Sequence, residues 1–305
     1  MLEKPGIYGV LPVLQMPYHD DDSIDYDTLK NEVDHVIDAG SDGITIAMAS
    51  ELLRLTRNER LEVTGKIPEM AEKRCGAIIS VGAETSKEAA FYAEAAEKAG
   101  ADAVMAIPPV SVALPAEKKF EYYKTIHDAV TIPLVVQDAS GYMGGEKLSI
   151  DIQVRLHSEL GTRIYFKPEG LPIGPTLSQL QEALNHEGVI FEGSGGYLLI
   201  DSYRRGIIGT MPGAEMIHGI VEIWKALERG DYDRAYEVHF PVSAIAILET
   251  PSLDSYLAIE KYLLVKKGIF KNQHVRQPTA YDIDPYTAAE IDRLYSMLMA
   301  VLGKG

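Results

Sequence analysis

The stretch Ile164-Tyr165-Phe166-Lys167-Pro168-Glu169-Gly170 carries three apolar or aromatic residues straight into a lysine, then a proline and a glutamate. The run before Lys167 has the character of a short buried strand, and Pro168, which has no N–H, is expected to end its regular pairing. A lysine at the end of a buried strand is rarely idle, because an ammonium without water is costly. Desolvation favours the neutral amine, and a neutral amine adds to ketones. Lys167 is therefore a candidate Schiff-base nucleophile. The plainer alternative is a lysine that reaches the surface or pairs with Glu169. If the backbone stays extended past Lys167, Glu169 points the same way, since side chains alternate with period two. A base beside an imine carbon is useful, whereas a bend at Pro168 would spoil the arrangement.

Outward from that strand, short apolar runs alternate with amphipathic stretches. Strands are expected at Val10–Leu14, Ile44–Ala47, Ala77–Val81, Ala103–Ile107 and Ile132–Gln137 before it, and at Val189–Glu192 and Gly206–Met211 after it. Helices fill the gaps, with capping boxes at Thr56/Glu59 and Thr85/Glu88 and a cap at Ser149. Asp138 to Lys147 reads as a loop with three glycines. Asp38-Ala39-Gly40-Ser41-Asp42-Gly43-Ile44 is echoed by Lys98-Ala99-Gly100-Ala101-Asp102-Ala103-Val104, each a helix end, a glycine cap, a polar turn and a strand. Eight strands with intervening helices predict an α/β chain: a (β/α)8 TIM barrel over residues 1-229. Residues 230-305 are expected to form a C-terminal bundle of about three helices packed on the barrel, since no Ser/Gly-rich linker sets them apart. Leu294, Leu298 and Val301 line an apolar face of the last helix, suited to the barrel or to a partner subunit.

The 305 residues are 46% hydrophobic and 24% charged, with a formal net charge of -16. That charge argues against nucleic acid or an anionic membrane as partner. The single cysteine, Cys75, precludes an intrachain disulfide and reads as a packed thiol. Met1-Leu2-Glu3-Lys4-Pro5-Gly6 has no apolar core for a signal peptide, and no apolar run reaches the about 18 residues of a membrane span. A cytoplasmic protein is expected. No organic cofactor is expected either, because there is no Gly-x-Gly-x-x-Gly after a first strand and no Walker loop. Gly193-Ser194-Gly195-Gly196 is a plain turn or an anion cradle.

In a barrel, reacting groups sit at the C-terminal strand ends. Those positions hold Met48-Ala49-Ser50-Glu51, Pro108-Pro109-Val110, Gln137-Asp138, Lys167 and Glu169, Glu192 and Ser194, and Thr210 with Met211. Lys167 is the one lysine of the set. The candidate catalytic residues are Lys167, Glu169 and Gln137; the candidate substrate-binding residues are Ser50, Ala49, Glu51, Asp138, Glu192, Ser194 and Met211. No metal site is assigned, although Glu51, Asp138 and Glu192 around Mg²⁺ would be the ligands in a rival, metal-assisted reading.

The order of elements, the strand-2 loop ending Ser50-Glu51, the lysine strand and the helical tail resemble the dihydrodipicolinate synthase/N-acetylneuraminate lyase superfamily over nearly the whole chain. The resemblance implies a class I Schiff-base lyase acting on pyruvate or a longer 2-keto acid, assembled as a homotetramer or homodimer. It places the family lysine on Lys167 and the carboxylate-binding loop on Met48-Ala49-Ser50-Glu51. The family's catalytic tyrosine falls on Gln137, its second relay tyrosine on Val110, the synthase arginine on Tyr142, and the two loop hydroxyls on Met48 and Ala49. These departures argue against the synthase reaction and against a tyrosine-mediated aldol cleavage. Val136-Gln137-Asp138-Ala139, Phe166-Lys167-Pro168-Glu169 and Gly206-Ile207-Ile208-Gly209-Thr210-Met211 look instead like the 2-keto-3-deoxy-pentonate (L-arabonate type) dehydratase branch, with Ser140 where that branch has proline. The expected reaction is dehydration of a 2-keto-3-deoxy sugar acid through an imine on Lys167. Glu169 would be the base or acid, Gln137 a hydrogen-bonding polariser, and Ser50 with nearby N–H groups the carboxylate holder. Retro-aldol release of pyruvate and a non-catalytic keto-acid-binding barrel are the alternatives.

Overall fold

A computed structural model describes residues 6–143 and 147–304. The reading of Met1 to Pro5, and the part of the three-glycine loop at 144–146, lie outside the described residues. In chain order the elements are β1 Gly9–Val10, α1 Tyr26–Asp38, β2 Gly43–Ile46, α2 Arg57–Ala71, β3 Gly76–Ser80, α3 Ser86–Ala99, β4 Ala103–Ala106, α4 Ala116–Ala129 and β5 Leu134–Asp138. Then follow α5 Ser140–Met143, α6 Ile150–Leu160, β6 Ile164–Pro168, α7 Ile173–Ala183, β7 Phe191–Glu192, α8 Leu199–Arg204, β8 Gly209–Thr210 and α9 Ile217–Glu228. Three further helices close the chain: α10 Tyr232–Glu249, α11 Leu253–Lys266 and α12 Pro285–Val301. Among the described residues, eight strands thus alternate with helices in the element order of a (β/α)8 barrel with a helical tail.

Local chemistry sets many of these boundaries. Thr56 accepts the N–H of Glu59 at 3.4 Å, and the Glu59 carboxylate accepts the N–H of Thr56 at 2.8 Å, a complete capping box at the start of α2. At α3 half of the expected box forms. Thr85 accepts from the Glu88 N–H at 3.2 Å, while the Glu88 carboxylate takes the hydroxyl of Tyr92 one turn on. The echoed junctions have a common backbone, with Gly40 and Gly100 both at φ +95°, a region that costs glycine nothing.

The chain divides into two compact units. One is built mainly of Leu55–Gly193 with Asp201–Thr210. Within it β3, β4, β5 and β6 pair in parallel, with Val104 opposite Leu134 and Val135 opposite Tyr165. The sheet continues where Phe166 donates its N–H to Val189 at 2.9 Å, and β7 pairs in parallel with β8. Residues on both faces of β4, β5 and β6 are buried, as expected of parallel strands covered by crossover helices. Pro168 does not end the pairing of β6. It stands in register with Asp138, and the next N–H, that of Glu169, donates to the Asp138 carbonyl at 3.0 Å. The proline nitrogen has the parity of Phe166, whose N–H faces Val189, so the donors toward β5 are not interrupted. The loop expected from Asp138 onward opens instead with the short helix α5.

The second unit comprises Gly9–Arg54, Ser194–Ile200 and Met211–Gly305. Its first strand is shorter than the expected Val10–Leu14, since Pro12 interrupts the donors. Val13 nevertheless bridges in parallel to both Thr45 and Gly213. The expected apolar face of α12 is partly closed: Leu298 is buried and packs on Gly219 of α9. The same unit holds a group of buried carboxyls. Glu32, Glu215, Glu249 and Glu260 are each at most 1% exposed. Glu32 accepts the Gln15 N–H at 2.9 Å, and Glu260 accepts the Ala214 N–H at 2.7 Å as well as the Gln15 amide. Burial pushes all four well above or above the ordinary carboxyl range.

Candidate active site

Lys167 and Glu169 end β6 with their side chains together: Lys167 Nζ lies 3.2 Å from Glu169 Oε1, and both are at most 5% exposed. The extended backbone through Pro168 is what aligns them, because two residues along a strand return to the same face. Gln137 stands directly opposite Lys167 in the β5–β6 ladder. Its amide Nε2 donates to Glu169 Oε2 at 2.6 Å and to the phenolic oxygen of Tyr142 at 3.0 Å. Tyr142 in turn donates to Glu169 Oε2 at 3.5 Å. Because the carboxylate accepts from Nε2, the amide oxygen of Gln137 is turned away, and it is buried with no partner among the described residues.

Burial holds the Glu169 carboxyl above its ordinary value. The Lys167 charge and the donors Gln137 and Lys167 pull it back down, and the negative charge of Glu192 pushes it up again. Burial, then the neighbouring charge of Glu169, pushes the Tyr142 phenol well above its usual range. Glu192, at the end of β7, is fully buried and accepts the Thr210 hydroxyl at 2.6 Å from the paired position on β8. The backbone of Gly193 closes one side of the pair. A Cβ there would lie 2.4 Å from Glu169 Oε1 and 2.5 Å from Lys167 Cε.

Asp138 is placed differently from the residues it was grouped with. Its carboxylate accepts the N–H of Ser140 at 3.0 Å and of Leu148 at 3.1 Å, so it organises the turn that carries α5. The remaining candidates belong to the other unit. The Ser50 hydroxyl accepts the Ala47 N–H at 3.1 Å and donates to the Leu14 carbonyl, which commits it to backbone. Ala49 lies beside it in a 3-10 turn, Met48–Ser50. Glu51 follows with φ +55° and forms a buried ion pair with Lys261 at 2.6 Å. Ser194 accepts the Leu198 N–H at 3.0 Å, and Met211 is buried. Glu51, Asp138 and Glu192 each have their own protein partners. Among the described residues no three His, Cys, Asp or Glu side chains are grouped to hold a metal ion. No helix of the described residues is long and apolar enough to cross a membrane.

Three neighbours of this cluster are visible only in the fold. Tyr142 stands where the resemblance places the synthase arginine, and nothing in its spacing announces that α5 returns it to Gln137. Thr210 stands at a strand end, and Gly193 in a segment that reads as a plain turn or an anion cradle. The register of β7 with β8 sets Thr210 beside Glu192, and the fold brings the Gly193 backbone against Lys167 and Glu169.

Comparison with known proteins agrees with this architecture. The model of the dihydrodipicolinate synthetase family matches residues 7–287. An L-2-keto-3-deoxyarabonate dehydratase of Azospirillum brasilense is 30% identical over 295 residues, covering 94% of this chain and 93% of that protein. A 4-hydroxy-tetrahydrodipicolinate synthase of Haloarcula marismortui is 26% identical over 239 residues, 76% of each chain. Among solved structures, the 4-hydroxy-tetrahydrodipicolinate synthase of Methylacidiphilum fumariolicum SolV superposes with a TM-score of 0.87 at 23% identity, covering 98% of both chains. The fold is therefore the expected (β/α)8 barrel with a C-terminal helical region, and the chain belongs to the dihydrodipicolinate synthetase family of lyases.

Proposed function

We propose that this protein is a Schiff-base-forming lyase that dehydrates a 2-keto-3-deoxy sugar acid. The observation that carries the reading is the buried Lys167–Glu169 pair with Gln137 hydrogen-bonded to Glu169. Lys167 condenses with the C2 ketone and water leaves, giving an iminium that acidifies the C3 hydrogens. Glu169, whose carboxyl is lifted by burial, is suited to take a C3 proton closer to neutrality than an exposed glutamate would be. The C4 hydroxyl then departs as water, and hydrolysis of the imine frees the product and the lysine.

Gln137 favours dehydration over aldol cleavage. An amide donates and accepts hydrogen bonds but does not shuttle protons at neutral pH. The position that the family resemblance gives to a proton-carrying tyrosine is thus held by a polariser here. The named Azospirillum dehydratase relative supports the same branch. Substrate binding by Glu192, and assembly into a homodimer or homotetramer in the cytoplasm, belong to the same proposal.

Borohydride trapping tests it. Reduction in the presence of pyruvate or a 2-keto-3-deoxy-pentonate should leave an adduct on the Lys167 peptide, and Lys167→Ala should lose both adduct and turnover. Product analysis then separates the reactions: an unbroken carbon skeleton means dehydration, and released pyruvate means cleavage. A Lys167→Ala variant with wild-type activity would refute the imine.

A further inference from the structure

We propose that Tyr142 is a catalytic residue of this site, carrying a proton from Glu169 to the oxygen that leaves C4. The inference rests on the dehydratase reading above and names the group that completes it.

The geometry that places Tyr142 is specific. Its phenolic oxygen lies 3.0 Å from Gln137 Nε2 and 3.5 Å from Glu169 Oε2. Two devices seat the short helix that carries it. The Asp138 carboxylate ties down the N–H groups of Ser140 and Leu148 on either side of the turn. Gly141 lets the helix rest on β6, since a Cβ at that position would lie 2.5 Å from the Glu169 carbonyl oxygen. Gln137 already holds Glu169 Oε2 at 2.6 Å, so the carboxylate does not depend on the phenol for its position. At 3.5 Å the phenol hydrogen is weakly engaged and free to turn to a better acceptor. A departing alkoxide or hydroxide is such an acceptor. The burial that disfavours a free phenolate requires the phenol to be refilled as it gives up its proton, and Glu169 is the neighbour that can do so.

The step balances without a further reagent. Glu169 takes the C3 proton, and the C–H pair enters the enamine of the Lys167 imine. That pair forms the C3–C4 double bond as the C4–O bond breaks. The leaving oxygen takes the phenol hydrogen of Tyr142, and the phenol oxygen takes the proton held by Glu169. Water leaves, and both side chains return to their starting states.

The test uses the whole protein with wild type, Tyr142→Phe and Glu169→Gln. Three readouts are borohydride trapping of pyruvate on Lys167, exchange of the pyruvate methyl hydrogens in D2O by proton NMR, and dehydration of a 2-keto-3-deoxy-pentonate. Exchange needs the imine and the base but no leaving group. Tyr142→Phe should therefore trap and exchange within about threefold of wild type while dehydration falls about 100-fold, the range expected for losing one positioned acid. Glu169→Gln should lose exchange and dehydration together. Dehydration by Tyr142→Phe at the wild-type rate overturns the proposal. So does a parallel fall of exchange and dehydration in that variant, which would make Tyr142 a mere support for Glu169. Wild-type protein that forms no Lys167 adduct, or that cleaves the substrate to pyruvate, would remove the dehydratase reading itself, and this proposal with it.

Discussion

Gly193→Ala is a small substitution with a large expected effect. The added Cβ would sit 2.4 Å from Glu169 Oε1, 2.5 Å from Lys167 Cε and 2.8 Å from Glu169 Cδ. Favourable carbon contacts are about 3.5 to 4.0 Å, so the two side chains must retreat by about 1 Å. The ends of flexible side chains can often move that far cheaply, but these cannot. Both are buried, and Gln137 holds the other Glu169 oxygen at 2.6 Å. Misplacement of a reacting group by about 1 Å can cost about 100-fold in rate. The overpacking itself should cost about 1–3 kcal/mol of stability, a fall in melting temperature of about 1–2 °C per kcal/mol for a chain of this length. Steady-state dehydration and a thermal melt on the same preparation measure both quantities. A folded Gly193→Ala protein whose kcat stays within about threefold of wild type would refute the reasoning, because on the proposed mechanism Lys167 and Glu169 both react and both would be displaced.

The buried carboxyls of the second unit support two further predictions. Glu249 is fully buried, and neither of its oxygens has a hydrogen-bond partner among the described residues. Glu249→Leu removes a desolvation cost of about 1–3 kcal/mol and should raise the melting temperature, as read by calorimetry at pH 7; a lower melting temperature would mean that the carboxyl is well satisfied. Stability should also depend on pH in a defined direction. Glu32, Glu215, Glu249 and Glu260 bind protons more tightly folded than unfolded, so their contribution is full below the usual 4.5 and is lost as pH rises through their folded values. His35 and His218, pushed down by burial to about 3 and about 4, work in the opposite sense but are neutral in both states above the usual 6.5. Lys267, lowered by burial to about 8, is charged in both states below that value. Removing one of these acids should therefore lessen the loss, and chemical denaturation from pH 4.5 upward should show Glu249→Leu losing less stability than wild type as pH rises. An equal loss in the two proteins would contradict the assignment.

Much of this molecule was legible from short-range pattern. The period of the apolar residues, the cap at Thr56 and the repeated glycine junctions at Gly40 and Gly100 act within a few residues of themselves, so they can be read without a fold. Lys167 and Glu169 belong to the same class, because period two along one strand brings them together. Pro168 leaves their alignment ambiguous in the sequence, and the ladder to Asp138 resolves it. What surrounds the pair is set by register and close approach between segments far apart in the chain. Gln137 meets Lys167 because β5 and β6 pair in that register, and Thr210 meets Glu192 in the same way across β7 and β8. Gly193 and Gly141 matter only for the atoms that tertiary packing sets against them. The reverse also holds. Ser50 and Asp138 have the residue types and positions of ligand-binding groups, and in the fold each also holds backbone that the sequence gives no sign of: Ser50 bonds Ala47 and Leu14, and Asp138 bonds Ser140 and Leu148. A side chain's chemistry is written in the sequence, but whether that chemistry is free to act depends on which donors and acceptors the fold leaves beside it.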